Sequence, residues 1–344
     1  MRKAGGLLVL IAGLCAFAVL WQVQHGGESS FMTPGNWKNL LTWVGLFGIL
    51  SLAQSVVIIT GGIDLSIGSV VGLIGITLGL WLNKGEGWSP WLAIPGALML
   101  AGMIGLWHGV LVSKLRMQPF VVTLCGLFIY RGIARLVAHD KTAGFGTAYE
   151  GMRWFGKGTL LDLLPSAAPA EGAEPSSFAT VLDLIPAPFI VLVVLAVLLG
   201  LFLHFSAQGR HLFAMGANEE AARLAGVQTA RLKILAYVLC SLISGFGGLL
   251  LAFKVNSMGP SDFGSFYELY AIAGAVLGGC SLRGGQGNVV GVVLGLALIM
   301  VLRNLVNILS IPSQLEYVVI GGAILIGLGV EEFFAWRRGA PAST

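Results

Sequence analysis

A series of apolar stretches that recurs along the whole chain most strongly limits how it can fold. A helix that crosses a bilayer needs about 20 mostly apolar residues. About ten stretches approach that length, near residues 5–22, 39–59, 63–82, 90–112, 119–137, 186–204, 230–252, 267–281, 287–308 and 314–334. With 56% hydrophobic and 10% charged residues, a soluble domain is excluded. The sequence therefore predicts an all-α polytopic membrane helix bundle of about ten transmembrane helices (roughly 8–10), forming one domain over residues 1–344.

Basic residues give the expected orientation of this bundle. When ten spans are counted, most basic residues fall on one side of the membrane: Arg2, Lys3, Lys114, Arg116, Arg210, Arg223, Arg231, Lys233, Arg283, Arg337 and Arg338. The loops on the opposite side hold mainly Lys38, Lys84 and Lys254. The positive-inside rule then places both termini in the cytoplasm. This count keeps the first stretch as a span and not as a cleaved signal peptide. The net charge of +4 reflects the same bias and predicts no nucleic-acid partner.

The string 215-MGANEEAARLAGVQTARLK-233 is polar in an otherwise apolar chain. Asn218 is a good N-cap, Glu219 and Glu220 fall in the first turn, and Gly226 can close the C-terminus. We therefore predict a short solvated helix within residues 216–228, on the cytoplasmic side. Such a helix offers a docking surface to a soluble partner.

The one long interruption of the apolar pattern, at residues 138–185, is predicted to lie outside the cytoplasm. Its middle, residues 166–177, is rich in Pro, Ala and Ser and is predicted to be a mobile linker. Upstream, Tyr149, Trp154 and Phe155 suit a segment that lies at the membrane interface. A soluble binding protein could also use this surface.

Signals for catalysis, a metal or a bound nucleotide are weak. The string 151-GMRWFGKG-158 matches a phosphate loop in part, but Gly158 replaces the Ser or Thr that would hold magnesium. The five histidines are scattered, and the four cysteines lack metal-ligand spacing. We therefore expect no enzyme activity, no metal and no cofactor on this chain. If ATP is used, a separate subunit binds ATP and magnesium.

Polar residues inside the apolar stretches are candidates for a translocation path, because each is costly if it faces lipid. Asp64 either contacts a solute or caps the next helix through the amides of Ser66 and Gly68. Arg131 needs a carboxylate or carbonyl partner, and His108 is expected to be packed and hydrogen-bonded. Three residues can share one helix face and either line a path or bond helices together, namely Arg303, Asn304 and Asn307.

Five strings in order carry a resemblance to a known family: 61-GGIDLSIGS-69, 118-QPFVVTLCG-126, 219-EEAA-222, 278-GGCSLRGGQG-287 and 304-NLVN-307. Over residues 40–332 the chain is similar to the ribose-type branch of permeases of ATP-binding-cassette (ABC) importers. Phe120 and Tyr270 join the candidate path through this resemblance. Tyr270 is also a departure, since relatives usually have Asp at that place in their Tyr-Glu-Leu-Asp string.

The resemblance implies a type II ABC importer permease in the plasma (bacterial inner) membrane, surrounded by lipid. It implies a second permease copy, in a homodimer or a heterodimer, and an extracytoplasmic binding protein that delivers sugar. Two cytoplasmic ATPase subunits would clasp the coupling helices, of which the residues here are Asn218, Glu219, Glu220, Ala221, Ala222, Arg223, Leu224 and Gly226.

The sequence thus predicts the permease subunit of an ATP-driven importer for a monosaccharide. A nucleoside or a branched-chain amino acid is the alternative solute. A secondary transporter is less well supported, because Asp64 and Glu316 are nearly the only carboxylates within the spans. One internal similarity stays open: 61-GGIDLSIG-68 and 278-GGCSLRGG-285 share a pattern that arises either from duplication or from chance.

Overall fold

The protein folds almost entirely into α-helices. The computed structural model describes residues 2–24, 30–85, 87–164, 176–322 and 325. The helices are, in chain order, α1 (Arg2–Gln24), α2 (Pro34–Ile59), α3 (Ile67–Leu82), α4 (Pro90–Ser113), α5 (Pro119–Ala138), α6 (Glu150–Lys157), α7 (Ser177–Asp183), α8 (Ala187–Phe205), α9 (Ala207–Ala217), α10 (Glu219–Leu224), α11 (Thr229–Val255), α12 (Tyr267–Leu277) and α13 (Val289–Ile308). Residues 316–322 are also helical. The predicted all-α class is confirmed.

Prolines mark where several of the long helices begin. Pro34, Pro90 and Pro119 each stand in the first turn of a helix, where the missing backbone N–H has no intrahelical partner to lose. The side chain of Thr33 also caps α2 by accepting a hydrogen bond from the amide of Asn36 at 3.4 Å. These local signals explain why α4 and α5 begin at the predicted residues 90 and 119, and why α2 begins at Pro34, five residues before the predicted 39.

Within the described part of the chain, seven helices are long and apolar enough to cross a membrane: α1, α2, α4, α5, α8, α11 and α13. They are not equivalent in the bundle. The apolar window of α2 is 94% buried, whereas that of α1 is only 11% buried. Since α2 packs against α8, α11, α12 and α13, it forms the centre of the bundle and α1 lies at its periphery.

Two predicted spans are shorter than expected. Instead of 63–82 and 267–281, the structure has α3 with 16 residues and α12 with 11 residues. At about 1.5 Å per residue, α12 is about 16 Å long, well short of a hydrocarbon core of about 30 Å. The predicted extent of both spans was therefore wrong, because glycine-containing turns break each apolar stretch. Most of the predicted span at 314–334 lies outside the described residues.

Glycines of α3 make room for the non-helical segment 259–266, which leads into α12. A Cβ at Gly72 would lie 2.9 Å from the carbonyl oxygen of Phe263, and one at Gly75 would overlap the ring of Phe263. Irregular backbone at membrane depth is tolerated where protein buries it. Arg131 of α5 donates to the carbonyl oxygen of Phe263 at 2.8 Å, so it has the carbonyl partner that the sequence led us to expect.

The segment predicted to lie outside the cytoplasm, residues 138–185, carries its own short elements. β1 (Ala143–Gly144) pairs antiparallel with β2 (Ser257–Met258), with Ala143 opposite Met258. Residues 166–175 of the predicted linker lie outside the described residues. Its last two residues instead begin α7, where Ser176 accepts a hydrogen bond from the amide of Ala179.

Candidate coupling helix and translocation path

The polar helix predicted within residues 216–228 is present as α10, and its N-terminus is capped as expected. The side-chain oxygen of Asn218 accepts a hydrogen bond from the amide of Ala221 at 2.9 Å. This bond satisfies one of the amides that a helix start leaves without a partner. Asn218 has an extended backbone, which separates α10 from α9 and makes α10 only six residues long.

Gly226 ends the helix, as predicted. Its φ of +86° lies in the left-handed region, where glycine has no steric penalty. The amide of Val227 donates to the carbonyl of Ala222, and the amide of Gly226 donates to that of Arg223, both at 3.0 Å. This pair of bonds is the Schellman pattern, which fixes where a helix stops.

Two ion pairs hold the acidic first turn of α10. The carboxylate of Glu220 lies 2.6 Å from the guanidinium of Arg223 on the same helix. The hydrogen bond from Arg223, together with its charge, holds the pKa of Glu220 below its ordinary value. The carboxylate of Glu219 lies 2.7 Å from the ammonium of Lys233, which belongs to α11. The helix is therefore tied to the next long helix by one salt bridge.

The outer face of α10 presents an apolar tip beside these charges. Leu224 is 79% exposed, whereas Ala222 is buried against the bundle. Ala221, Glu220 and Arg223 are exposed as well. A helix with a solvent-exposed leucine between charged side chains is suited to insertion into a groove of a soluble protein.

The partial phosphate-loop string at 151–158 is helical, because α6 covers nearly all of it. A phosphate loop needs free backbone N–H groups that curve around the anion. The amides within a helix are instead committed to carbonyls one turn earlier. The geometry of this string therefore does not form a nucleotide cradle.

Asp64 lies at the break before α3 and is 1% exposed. One of its carboxylate oxygens accepts hydrogen bonds from the amide of Ser66 at 2.8 Å and from its hydroxyl at 2.6 Å. The side-chain amide of Gln54 bonds to the backbone of Asp64 when it is oriented to satisfy both groups. Its nitrogen donates to the Asp64 carbonyl at 3.1 Å, and its oxygen accepts from the Asp64 backbone N–H at 3.2 Å. Asp64 thus holds the turn before α3, and the predicted bond to the Ser66 amide is confirmed.

His108 lies between this carboxylate and a tyrosine within the bundle. Its Nδ1 lies 4.0 Å from a carboxylate oxygen of Asp64, and its Nε2 lies 2.8 Å from the hydroxyl of Tyr130. An imidazole with its proton on Nδ1 accepts the hydroxyl proton of Tyr130 at Nε2. His108 is 1% exposed, so the expectation of a packed, hydrogen-bonded histidine is confirmed.

Arg303 lies in a cluster of charged and aromatic side chains. Its guanidinium is 2.9 Å from the carboxylate of Glu316 and lies over the rings of Trp43 and Tyr270, at 5.6 and 5.8 Å from their centres. The hydroxyl of Tyr270 donates to Glu316 at 2.9 Å. Arg303 and Glu316 are 33% and 15% exposed, so the cluster remains partly open.

The other two residues of the predicted polar face have different surroundings. Asn304 forms a reciprocal amide pair with Asn36 of α2, with N–O distances of 2.7 and 3.2 Å. This contact joins α13 to α2, which agrees with the alternative that these polar residues bond helices together. Asn307 is exposed. The three residues therefore share a helix face without sharing an environment.

The candidate path residues form separate groups. Asp64 is hydrogen-bonded to Gln54 of α2, and Arg303 lies over the ring of Trp43 of α2. Gln54 and Trp43 are 11 positions apart, which is about 16 Å along the helix. Phe120 is 52% exposed in the first turn of α5, which packs mainly against α3 and α4. The structure therefore brings Tyr270 together with Arg303, but leaves Asp64 and Phe120 elsewhere.

The sequence patterns do not indicate the surroundings of two carboxylates, Glu316 and Glu268. Glu316 is identifiable in the sequence only as a carboxylate within a span, and the 12 residues between it and Arg303 carry no pairing signal. Glu268 is not among the candidate residues singled out from the sequence. It is 7% exposed, and its Oε2 has no hydrogen-bond partner among the described residues. An acidic residue inside the apolar stretch 267–281 was the signal that could have found it.

Comparisons with known proteins agree with this architecture. The chain is 34% identical over 329 residues to the ribose import permease protein RbsC of Bacillus subtilis (strain 168), covering 95% of this chain and 92% of the relative. It is 32% identical to the L-arabinose transport system permease protein AraH of Escherichia coli (strain K12), covering 91% and 87%. It is 30% identical to the xylose transport system permease protein XylH of the same strain, covering 94% and 91%. No solved structure matches the chain.

Residues 36–328 match the family described as branched-chain amino acid transport system / permease component. This match covers most of the chain and both regions described above, α10 and the Arg303 cluster. The apolar helices long enough to cross a bilayer agree with a multi-pass membrane protein. The chain therefore belongs to this family of membrane transport permeases, as the resemblance of its sequence to ribose-type ABC permeases predicted.

Proposed function

We propose that this chain is the permease subunit of an ATP-driven importer for a monosaccharide, and that the monosaccharide is a pentose. The observation that carries the proposal is an exposed, doubly capped helix, α10, on a membrane bundle whose matched relatives are named for ribose, L-arabinose and xylose. Ribose, arabinose and xylose are all five-carbon sugars. The chain matches each of these relatives over at least 91% of its own length.

In this proposal α10 is the docking helix for a cytoplasmic ATPase subunit. Leu224 enters an apolar groove of the ATPase, while Glu220 and Arg223 contact charged residues at its rim. Both termini of the chain then lie in the cytoplasm, on the same side as α10. The ATPase subunit binds ATP and magnesium, and this chain binds no cofactor.

Movement of the ATPase subunits would displace α10 and favour one of two packings of the bundle. The permease supplies no bond-breaking chemistry. It needs only outward-open and inward-open states of similar energy, which its partners bias differently. A second permease copy completes the path within the lipid bilayer, and an extracytoplasmic binding protein delivers the sugar.

The Arg303 cluster is the proposed outer closure of the path. Trp43 and Tyr270 offer aromatic faces on which a sugar ring can stack, and Arg303 and Glu316 offer donors and acceptors for its hydroxyls. In the described conformation the charged groups bond to one another. Passage of a sugar would require these bonds to open, which lets the closure respond to the state of the bundle.

A branched-chain amino acid is the second candidate solute, because the family description names it. A zwitterion needs an uncompensated cation and anion along its path. Arg303 and Glu316 are the closest match, but they neutralise each other at 2.9 Å, and Tyr270 also bonds to Glu316. This mutual satisfaction favours a neutral solute that exchanges hydrogen bonds one at a time.

Reconstituted vesicles would test the proposal. The full chain is co-purified with the ATPase subunit encoded for the same importer, and the binding protein is supplied outside with radiolabelled ribose, arabinose, xylose, leucine or uridine. We expect ATP-dependent uptake of at least one pentose, with no ATP hydrolysis by the chain alone. Uptake of leucine or uridine without pentose uptake would replace the proposed solute, and ATP-independent uptake would contradict the coupling.

A further inference from the structure

Backbone contacts join the base of α10 to the end of α2. Gly216 is in the last turn of α9, two residues before the cap Asn218. A Cβ at Gly216 would overlap the carbonyl oxygen of Ile59, the last residue of α2, and would lie 2.5 Å from the amide nitrogen of Gly285. That amide donates to the same Ile59 carbonyl at 2.9 Å. Three separate parts of the chain therefore meet here with no side chain between them.

The two turns that break the apolar stretches also meet at this point. A Cβ at Gly284 would lie 2.7 Å from the amide nitrogen of Gly61 and 2.7 Å from the carbonyl oxygen of Gly216. Gly61, Gly284 and Gly285 have φ angles of +80°, +87° and +73°. Both the backbone conformation and the close approach therefore require glycine. We call Gly61, Gly216, Gly284 and Gly285 the glycine junction.

The junction connects α10 to the helices around the two breaks. Gly61 lies between α2 and α3, whereas Gly284 and Gly285 lie between α12 and α13. These turns contain the two similar strings of the sequence, which the structure brings into direct contact. A displacement of α9 would therefore push on the end of α2 and on the two turns, one between α2 and α3 and the other between α12 and α13.

Backbone contact transmits displacement differently from side-chain contact. A long side chain can change rotamer and absorb a movement, as the exposed Glu219–Lys233 pair between α10 and α11 can. The glycine junction has no side chains to adjust, and close-packed groups transmit strain. We therefore expect the glycine junction to be stiffer than the Glu219–Lys233 contact.

We propose that the glycine junction transmits the movement of α10 to the helix breaks, and so couples ATP use to opening of the path. This inference rests on the proposed function, because it takes α10 as the docking helix. The junction residues are positioning residues, since they contact neither the solute nor the ATPase in this proposal. Their role is to keep the α9–α10 unit and both breaks in fixed register.

The substitution Gly216→Ala tests the inference, because it forces the contacting backbones apart while keeping an ordinary helical conformation. Gly61→Ala is a second junction variant. Its Cβ would lie 3.3 Å from the carbonyl oxygen of Arg283, so it crowds the junction less, while the φ of +80° adds backbone strain. Gly200→Ala in α8 is the matched control, because its Cβ would meet no atom within 4 Å. Each variant is reconstituted with the ATPase subunit and the loaded binding protein.

For Gly216→Ala we expect the ATPase subunit to co-purify as with wild type, while sugar taken up per ATP hydrolysed falls about tenfold. The control should retain the wild-type ratio. An unchanged ratio in Gly216→Ala would overturn the inference, and so would a parallel fall in protein level, ATP hydrolysis and uptake in both junction variants.

If the Gly216→Ala protein fails to accumulate, Gly61→Ala serves as the test. We then expect sugar taken up per ATP hydrolysed to fall about threefold. An unchanged ratio of uptake to hydrolysis would contradict the inference. Failure of the proposed function is distinguishable. In that case the wild-type chain itself would neither retain the ATPase subunit nor take up sugar, and this inference would fall with the proposal.

Discussion

The guanidinium of Arg303 lies 2.9 Å from the carboxylate of Glu316 and 5.6 Å from the centre of the Trp43 ring. One cation is therefore shared between an acid and an aromatic face that belong to different elements. Trp43 comes from α2, Arg303 from α13, and Glu316 from the helical residues 316–322 that follow. Arg303 therefore contacts two other elements at once, in addition to the Asn36–Asn304 pair that also joins α2 to α13.

Charge exchange tests whether this pair matters for transport. Arg303→Glu and Glu316→Arg each place like charges together, so we expect uptake to fall about tenfold in either variant. The double variant restores an opposite pair and should recover uptake to within about threefold of wild type. Initial rates in reconstituted vesicles give the comparison.

A matched control is Asp140→Lys, which reverses a charge in the Arg135–Asp140 pair. That pair also joins nearby carboxylate and guanidinium groups, at 2.7 Å, but both side chains are more than half exposed. Exposed pairs contribute little, so uptake should stay near wild type. If uptake by the Arg303→Glu, Glu316→Arg double variant were no higher than uptake by either single variant, a role for this ion pair would be contradicted.

The coupling helix should be needed for transport but not for membrane insertion. Glu220→Lys reverses a charge in the first turn of α10, which opposes the helix dipole and removes the bond to Arg223. We expect normal membrane levels with uptake reduced at least about tenfold. Glu150→Lys makes the same change in the first turn of α6 and should leave uptake intact. Normal uptake in Glu220→Lys would count against docking at α10.

The cap of α10 should control its local stability. Asn218→Ala removes the side-chain acceptor for the Ala221 amide, a loss of about 1 kcal/mol in a typical helix. Hydrogen exchange of the peptide that contains α10 should then accelerate about fivefold. Ser176→Ala removes the equivalent bond of α7 and should leave exchange in α10 unchanged. Unaltered exchange in Asn218→Ala would mean that tertiary contacts alone hold α10.

Substitutions of Asp64 separate its two predicted roles. Asp64→Asn keeps an oxygen that can accept the bonds from Ser66, whereas Asp64→Ala removes it. If the residue holds the turn before α3, Asn should be tolerated, and Ala should lower the unfolding free energy by about 1–3 kcal/mol. Thermal unfolding in detergent and uptake should be measured together. Loss of uptake in a stably folded Asp64→Asn protein would instead favour direct contact with the solute.

Much of the coupling helix could be predicted from its residues alone. The cap of Asn218 joins residues three positions apart, and the turn at Gly226 depends on the freedom of one glycine, so both signals are local. The length of α12 could not be predicted in this way. The stretch 267–281 is mostly apolar, but α12 ends at Leu277 because the chain turns at Gly278 and Gly279, the latter with a φ of +93°. Gly278 packs directly on the backbone of Gly291 in α13, so tertiary contact fixes where this turn lies.

The sequence by itself determined the helical class, the starts of α4 and α5 and the capped polar helix, because each depends on residue type within one or two turns. The tertiary structure alone decided which distant groups meet. Trp43 and Arg303 are far apart in the chain, as are Gly61, Gly216 and Gly284, and nothing in their local patterns specifies a partner. The physical reason is that helix formation follows local backbone hydrogen bonds, whereas these contacts follow from how the finished helices pack around α2.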